Sequence, residues 1–246
     1  LKNSLKKVEG KVAAIVMEPM WLEYPDENYF HELKELVHKN NALLIFDEVL
    51  TGFRLANGGA QELLNIDSDL VAFGKAIGNG MPLGAITGKE EYMKKFNDIF
   101  YSTTYGGETL SLAAGNVVMD EFINKNVIKH CWSLGKLLKE GINKISSEMG
   151  LDVKWNGTPV RGAITFQPTE KYHTKLLYSI FLQECIKKGV MFGPGETLLC
   201  FSHTKEEIEK TLQVCKEAFE KIQLGIKNDN LHKLLEGKEI KTVMTF

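Results

Sequence analysis

Long apolar runs, paired cysteines and a surplus of either charge are all missing from this 246-residue chain. No apolar stretch reaches the length of a membrane span, and the first residues lack the pattern of a secretion signal. A membrane protein is therefore not expected, and a cytoplasmic location fits. Thirty Lys and Arg stand against 32 Asp and Glu, a formal charge of -2, so no basic surface marks a nucleic-acid partner and no run of like charge marks a tail. The four cysteines, Cys131, Cys185, Cys200 and Cys215, show no paired spacing and read as reduced and mostly buried. Repeats and low-complexity segments are absent too. What is present is a globular composition, 43% apolar and 25% charged, long enough for one large domain or two modest ones. The chain opens on Leu1 rather than methionine and enters a strand pattern almost at once, so it is expected to begin partway through a fold.

The pattern along the chain is α/β. VAAIVMEP (12–19) is a continuous apolar run and predicts a strand buried on both faces. YFHELKELVHKNN (29–41) puts Phe30, Leu33, Leu36 and Val37 on one helical face, and ALLIF (42–46) returns as a second strand. Strand, helix and strand with short connections form a βαβ unit of a parallel sheet. DLVAFGK (69–75) and MPLGAITG (81–88) predict two further strands. A helix is predicted from Glu108 to about Asn124 with Leu110, Ala113, Ala114, Val117, Val118 and Phe122 facing inward. Another is predicted over 131–148 through Leu134, Leu137, Leu138, Ile142 and Ile145. The texture then changes to short strands (151–155, 163–166, 197–203), with a helix at about 172–188 between the last two. A final helix follows Thr204, which with Glu207 makes a capping box, and shows Ile208, Leu212, Cys215, Phe219 and Ile222 on one face. The last twenty residues are polar with one apolar touch at the end. Two domains are expected, 1–128 with a mostly parallel sheet and 129–246 of α+β type.

Two carboxylates, Asp47 and Glu48, end the strand in LLIFDEVLTGFR (43–54). Nucleotide hydrolysis uses such a strand to hold magnesium, but it also needs a P-loop. The nearest candidate, GAITGKE (84–90), is one residue short and has Glu90 where a hydroxyl should stand. Metal chemistry fares no better. His31 and His38 are seven positions apart, not the four of a zinc-protease helix, and read as ordinary surface histidines. His203 reads as a local hydrogen-bonding residue. No nucleophile elbow or Ser-His-Asp order is visible, and no metal is expected. The other chemistry served by an acidic strand tip is an organic cofactor whose ring nitrogen needs a negative partner.

Lys75 bears on that choice. It follows Gly74 at the end of the third strand, 28 positions after Asp47, and precedes AIGNGMPLG. Ligands of open parallel sheets bind at the carboxyl edge. A lysine desolvated there loses proton affinity and becomes a nucleophile toward aldehydes, while neighbouring glycines let backbone approach a flat ligand. A purely structural lysine is also compatible with these residues alone.

FDEVLTGFR (46–54), NGGAQ (57–61), DLVAFGKAIGNGMPLGAITG (69–88) and TTYGGETLSLAAG (103–115) together resemble the class III aminotransferases. These are fold type I enzymes that use pyridoxal 5'-phosphate. The resemblance runs from about residue 8 to about 225. Within the class, GFRLANGGAQ and LCFSHTKEEI look most like glutamate-1-semialdehyde 2,1-aminomutase and its relatives. The resemblance implies a PLP-binding large domain ending near 128 and a small C-terminal domain. It implies that Lys75 forms the Schiff base with the cofactor aldehyde and that Asp47 faces the protonated pyridine nitrogen. Val49 would pack on one ring face. Thr104 would reach the phosphate of the neighbouring subunit's cofactor, which implies a homodimer with shared sites. Glu18, Glu48 and Arg54 match family positions and read as framework, with a buried carboxylate–arginine pairing. An amino donor and a keto or aldehyde acceptor are the implied substrates.

Departures from the pattern accompany the match. MWLEYPDENYF follows Glu18-Pro19 where the aminomutases have a longer, glycine-containing stretch, and GGET (106–109) replaces S-G-N-P. The arginine that many class III transaminases use for a substrate carboxylate is not evident near Leu198–Thr204. An aminotransferase of a ketone or aldehyde, for instance in surface-saccharide synthesis, therefore stands equal with the mutase. The family's phosphate-binding helix start and ring-stacking aromatic have no counterpart here. The chain is accordingly expected to be the C-terminal part of such an enzyme. It would lack half the cofactor pocket alone, or persist as a non-catalytic partner subunit.

Overall fold

The structure, a computed structural model, describes residues 1–8, 10–26, 28–193 and 195–241. The apolar residues expected to close the polar tail lie outside them. The chain divides into two compact units, Leu1–Ile128 and Lys129–Phe246. Among the described residues, no helix is long and apolar enough to cross a membrane.

In the first unit, helix α1 (Lys2–Lys7) precedes β1 (Ala14–Met17), α2 (Tyr29–Lys39), β2 (Leu43–Glu48), α3 (Gly59–Leu64), β3 (Leu70–Phe73), β4 (Ala85–Gly88), α4 (Glu90–Met93) and α5 (Thr109–Asn124). The sheet order is β1-β2-β3-β4, parallel from β1 to β3 and antiparallel at β4. The βαβ reading of 12–46 thus holds. Phe30, Leu33 and Val37 of α2 cover Leu44 and Phe46 of β2 and Val71 of β3, with the Phe30 and Phe46 rings 5.3 Å apart.

Burial on both faces of the first strand does not hold. β1 is an edge strand, and its Val16 is 65% exposed. In β2 the side chains alternate: Leu44, Phe46 and Glu48 are buried, while Leu43 and Ile45 are half-buried and Asp47 is exposed. An apolar run shows that two faces are greasy, but among the described residues α2 covers one of them while Val16 on β1 stays open. The same holds for α5. Its buried residues are Ser111 and Gly115, whereas Leu110 is 64% and Val117 60% exposed and Ala113 is exposed as well. The predicted inward face is therefore rotated out of the unit's core, although Val118 and Phe122 are half-buried.

The second unit contains α6 (Val127–Glu148, begun two residues earlier), β5 (Val153–Gly157), β6 (Arg161–Phe166), α7 (Thr174–Lys187), β7 (Thr197–Leu198) and α8 (Lys205–Lys227). β6 is the middle strand of an antiparallel three-stranded sheet. Phe181 of α7 meets the rings of Phe166, Phe192 and Phe219 at 5.3–5.5 Å. The Thr204–Glu207 capping box is present, and Ile208, Cys215, Phe219 and Ile222 of α8 are buried as expected. The strand predicted over 197–203 shrinks to two residues. The backbone turns at Cys200, whose carbonyl accepts the His203 amide at 3.2 Å.

Candidate functional site

The carboxyl ends of β1, β2 and β3 lie along one sheet edge, and the register fixes what meets there. Met17 pairs with Phe46, so Glu18 comes level with Asp47, and Glu48 pairs with Phe73, so Gly74 and Lys75 lie just beyond. Asp47 and Lys75 thus stand at the ends of adjacent hydrogen-bonded strands.

The two carboxylates of β2 differ sharply. Glu48 is fully buried. It accepts the Thr51 hydroxyl at 2.8 Å and the Ala60 and Gln61 amides at 2.6 and 3.0 Å. These amides belong to the first turn of α3, where the backbone has unpaired donors. Gly59 has φ +78, and a Cβ there would stand 2.2 Å from the Glu48 Oε2, so the carboxylate requires a glycine beside it. Glu48 is thereby framework, satisfied by a hydroxyl and two amides. Asp47 points to the other side, is exposed, and accepts the Val49 amide at 3.0 Å. That bond aims Val49 toward the strand beside it: a Cβ on buried Gly74 would lie 3.2 Å from the Val49 Cγ1.

Lys75 opens a short 3-10 turn (Lys75–Ile77) with φ +46, a left-handed conformation that a side-chain-bearing residue adopts at a cost of about 1–2 kcal/mol. Backbone strain of this kind gathers at functional positions. Within this unit both Lys75 and Asp47 are exposed. Thr104 lies in the exposed turn from Thr103 to Gly107, where the Gly106 amide bonds the Thr103 carbonyl at 3.1 Å. Among the described residues, no hydrogen bond or ion pair ties Thr104 to Asp47, Val49 or Lys75.

Two roles escaped the sequence reading. Glu108, in the departure GGET, is the N-cap of α5, accepting the Leu110 and Ser111 amides at 2.7 Å and the Ser111 hydroxyl at 2.5 Å. The Ser111 side chain foremost, then the amides, hold its carboxyl below the usual range. An acidic residue just ahead of a helical pattern was the available signal. His38 is more than a surface histidine. Its Nε2 lies 2.8 Å from buried Asp69, which also binds the Lys89 Nζ at 2.6 Å and the Leu44 amide at 2.8 Å. Burial works to raise the Asp69 carboxyl, but Lys89, the Leu44 amide and His38 together bring it below its ordinary value.

Comparison with known proteins places this geometry. The profile of the family described as Aminotransferase class-III matches residues 1–221. Glutamate-1-semialdehyde 2,1-aminomutase of Acetivibrio thermocellus is 34% identical over 229 residues, covering 87% of this chain and 53% of the relative. The enzyme of the same name from Methanosphaera stadtmanae is 32% identical, covering 90% and 56%. The chain thus spans about half the length of the curated relatives it matches. The FumI protein of Sphingopyxis sp. MTA144, solved with PLP, superposes with a TM-score of 0.83 at 24% identity over 95% of this chain and 57% of that one. A β-phenylalanine aminotransferase from Variovorax paradoxus gives 0.81 at 21% over 91% and 55%. These likenesses establish the fold, and the sequence matches establish the family: this chain belongs to the class III aminotransferases.

Proposed function

We propose that this protein transfers amino groups with pyridoxal 5'-phosphate, and that this chain supplies the lysine and the ring-nitrogen partner of the site. One observation carries the reading: Asp47 and Lys75 end adjacent parallel strands at the sheet edge, inside the family match. The residue set fits the cofactor. A primary amine suits its aldehyde, a carboxylate its ring nitrogen, and the Val49–Gly74 contact offers an apolar seat for a flat ring.

When bound, the cofactor supplies an electron-withdrawing ring that stabilises negative charge on the substrate α-carbon. Asp47 holds positive charge at the ring nitrogen, an effect that grows as water leaves the site. Lys75 would hold the cofactor through its ε-amine, and the same amine would be the base that moves a proton at the substrate α-carbon. Val49 orients the ring. Glu48 keeps Asp47 in place by anchoring the same strand end to α3, and Glu18 and Arg54 belong to the same framework. Thr104 binds the phosphate of a neighbouring subunit's cofactor in a homodimer, which the exposed face of α5 supports. A cytoplasmic location completes the reading.

Two substrate readings stand. The names of the relatives favour the aminomutase; the altered stretch after Pro19 and the GGET sequence favour an aminotransferase acting on another ketone or aldehyde. Consumption of an external amino donor during turnover separates them: stoichiometric consumption marks the aminotransferase, and none marks the mutase. The exposure of Asp47 and Lys75 favours one further reading, a chain that needs a companion polypeptide to complete the pocket. Added pyridoxal phosphate then gives this chain alone no stable absorption band. A stable band that is lost in Lys75→Ala, together with turnover, contradicts that reading.

A further inference from the structure

The turn after β7 brings together a thiol and a base that the amino-transfer reading does not use. Cys200 is the exposed cysteine; Cys131, Cys185 and Cys215 are buried. Its Sγ lies 3.6 Å from the Nδ1 of His203. The same Nδ1 accepts the Cys200 backbone amide at 3.2 Å. An imidazole nitrogen that accepts an amide N–H carries a lone pair, so neutral His203 has its proton on Nε2, and the single Nδ1 lone pair is shared between the Cys200 amide and the nearby thiol. The surroundings hold the ring in place. The His203 amide closes the turn on the Cys200 carbonyl at 3.2 Å, and the His203 carbonyl accepts from the His130 Nε2 at 3.0 Å. His130 meets the Phe201 ring edge-on at 5.0 Å, and the next residue, Thr204, is fixed by its capping box.

A nucleophile within reach of a positioned base is the arrangement that activates thiols. We propose that Cys200 and His203 form a reactive dyad that is a site of mixed-disulfide modification by low-molecular-weight disulfides. In the step, the Nδ1 of His203 gives up its bond from the Cys200 amide and takes the thiol proton as the Cys200 Sγ attacks one sulfur of the disulfide. A new S–S bond forms and the old one breaks. The departing thiolate takes the proton back from the imidazolium. Cys200 is oxidised to the disulfide level, and half of the reagent is reduced to thiol.

The test uses oxidised glutathione on the pre-reduced protein, with the adduct followed by intact mass and located by peptide mapping. The reference is an unstructured peptide of residues 197–203. Cys200 in the folded protein is expected to react at least about tenfold faster than the peptide, with the other three cysteines unmodified. A rate equal to or below that of the peptide overturns the proposal and needs no variant to show it. His203→Asn supplies the second arm. It keeps an acceptor oxygen for the Cys200 amide but cannot take a proton near neutrality, so its rate is expected to fall to that of the peptide. A wild-type rate in His203→Asn overturns the role of the base. Continued protection of Cys131, Cys185 and Cys215 in the variant reports that its fold is intact.

Discussion

The two units are of similar length, yet among the described residues the second buries 26 apolar side chains and the first 13. The exposed large hydrophobics divide the other way, fifteen in the first unit and five in the second. The second unit is built inward: β6 is buried along nearly its whole length, and α7 buries eight of its residues. The first unit packs α2 on one sheet face and leaves Val16, Leu110 and Val117 outward, with Phe100 96% exposed. It also carries the strained Lys75 and the buried Asp69 network. The difference separates two uses of sequence. One unit encloses its own core, while the other leaves apolar side chains and a sheet edge exposed.

The largest expected effect breaks the self-sufficient core. Phe181→Ala removes a fully buried ring with four aromatic neighbours and should cost about 3–5 kcal/mol. Chemical denaturation should show that loss in the 129–246 transition; a loss below 1 kcal/mol, in the order-of-magnitude sense of ~1, would mean this core is not what holds the unit. Next comes Asp69→Asn, which takes a buried carboxylate from partly exposed Lys89 and from His38 and should cost about 1–2 kcal/mol in the first unit. The sign with pH follows from the depressed Asp69 carboxyl. Its contribution is present above the ordinary carboxylate range and is lost as pH falls through the folded value. Wild type should therefore lose stability on acidification more steeply than Asp69→Asn, as thermal melts at a series of pH values will show.

Smaller effects sharpen the contrast. Lys75→Gly should stabilise the first unit by roughly 1 kcal/mol by relieving the positive φ, while abolishing cofactor attachment. A neutral or destabilising result would remove the evidence of strain at this position. Thr204→Ala removes the cap of α8 and should cost about 1 kcal/mol, confined to the second unit. Amide exchange along α8 measures it.

The sheet, its βαβ unit, the Glu48–Asp47 division and the capped last helix were legible because each depends on neighbours in sequence: alternation along a strand, a T-x-x-E box, apolar spacing on a helix. The misread parts depend on what lies over a surface. The spacing of Leu110, Ala113 and Val117 marks a face that wants cover, and says nothing about whether this unit provides it. The strand expected through 203 was cut short by a turn closed by a histidine ring, a contact with no periodic signature. His38 and Glu108 were missed for the same reason: each acts through a partner or a helix end rather than through a motif. At the site, residue types and spacing pointed to Asp47 and Lys75, and the strand register set them on adjacent strand ends, but their hydration was not legible, because exposure belongs to the whole surface.

The most direct test of the central claim is borohydride reduction of the natural protein in the presence of pyridoxal phosphate, followed by peptide mapping. A reduced pyridoxyl group on Lys75 at near-stoichiometric yield is expected, absent in Lys75→Ala and weakened in Asp47→Asn. Label spread over surface lysines, with Lys75 modified no more than the others, would contradict it.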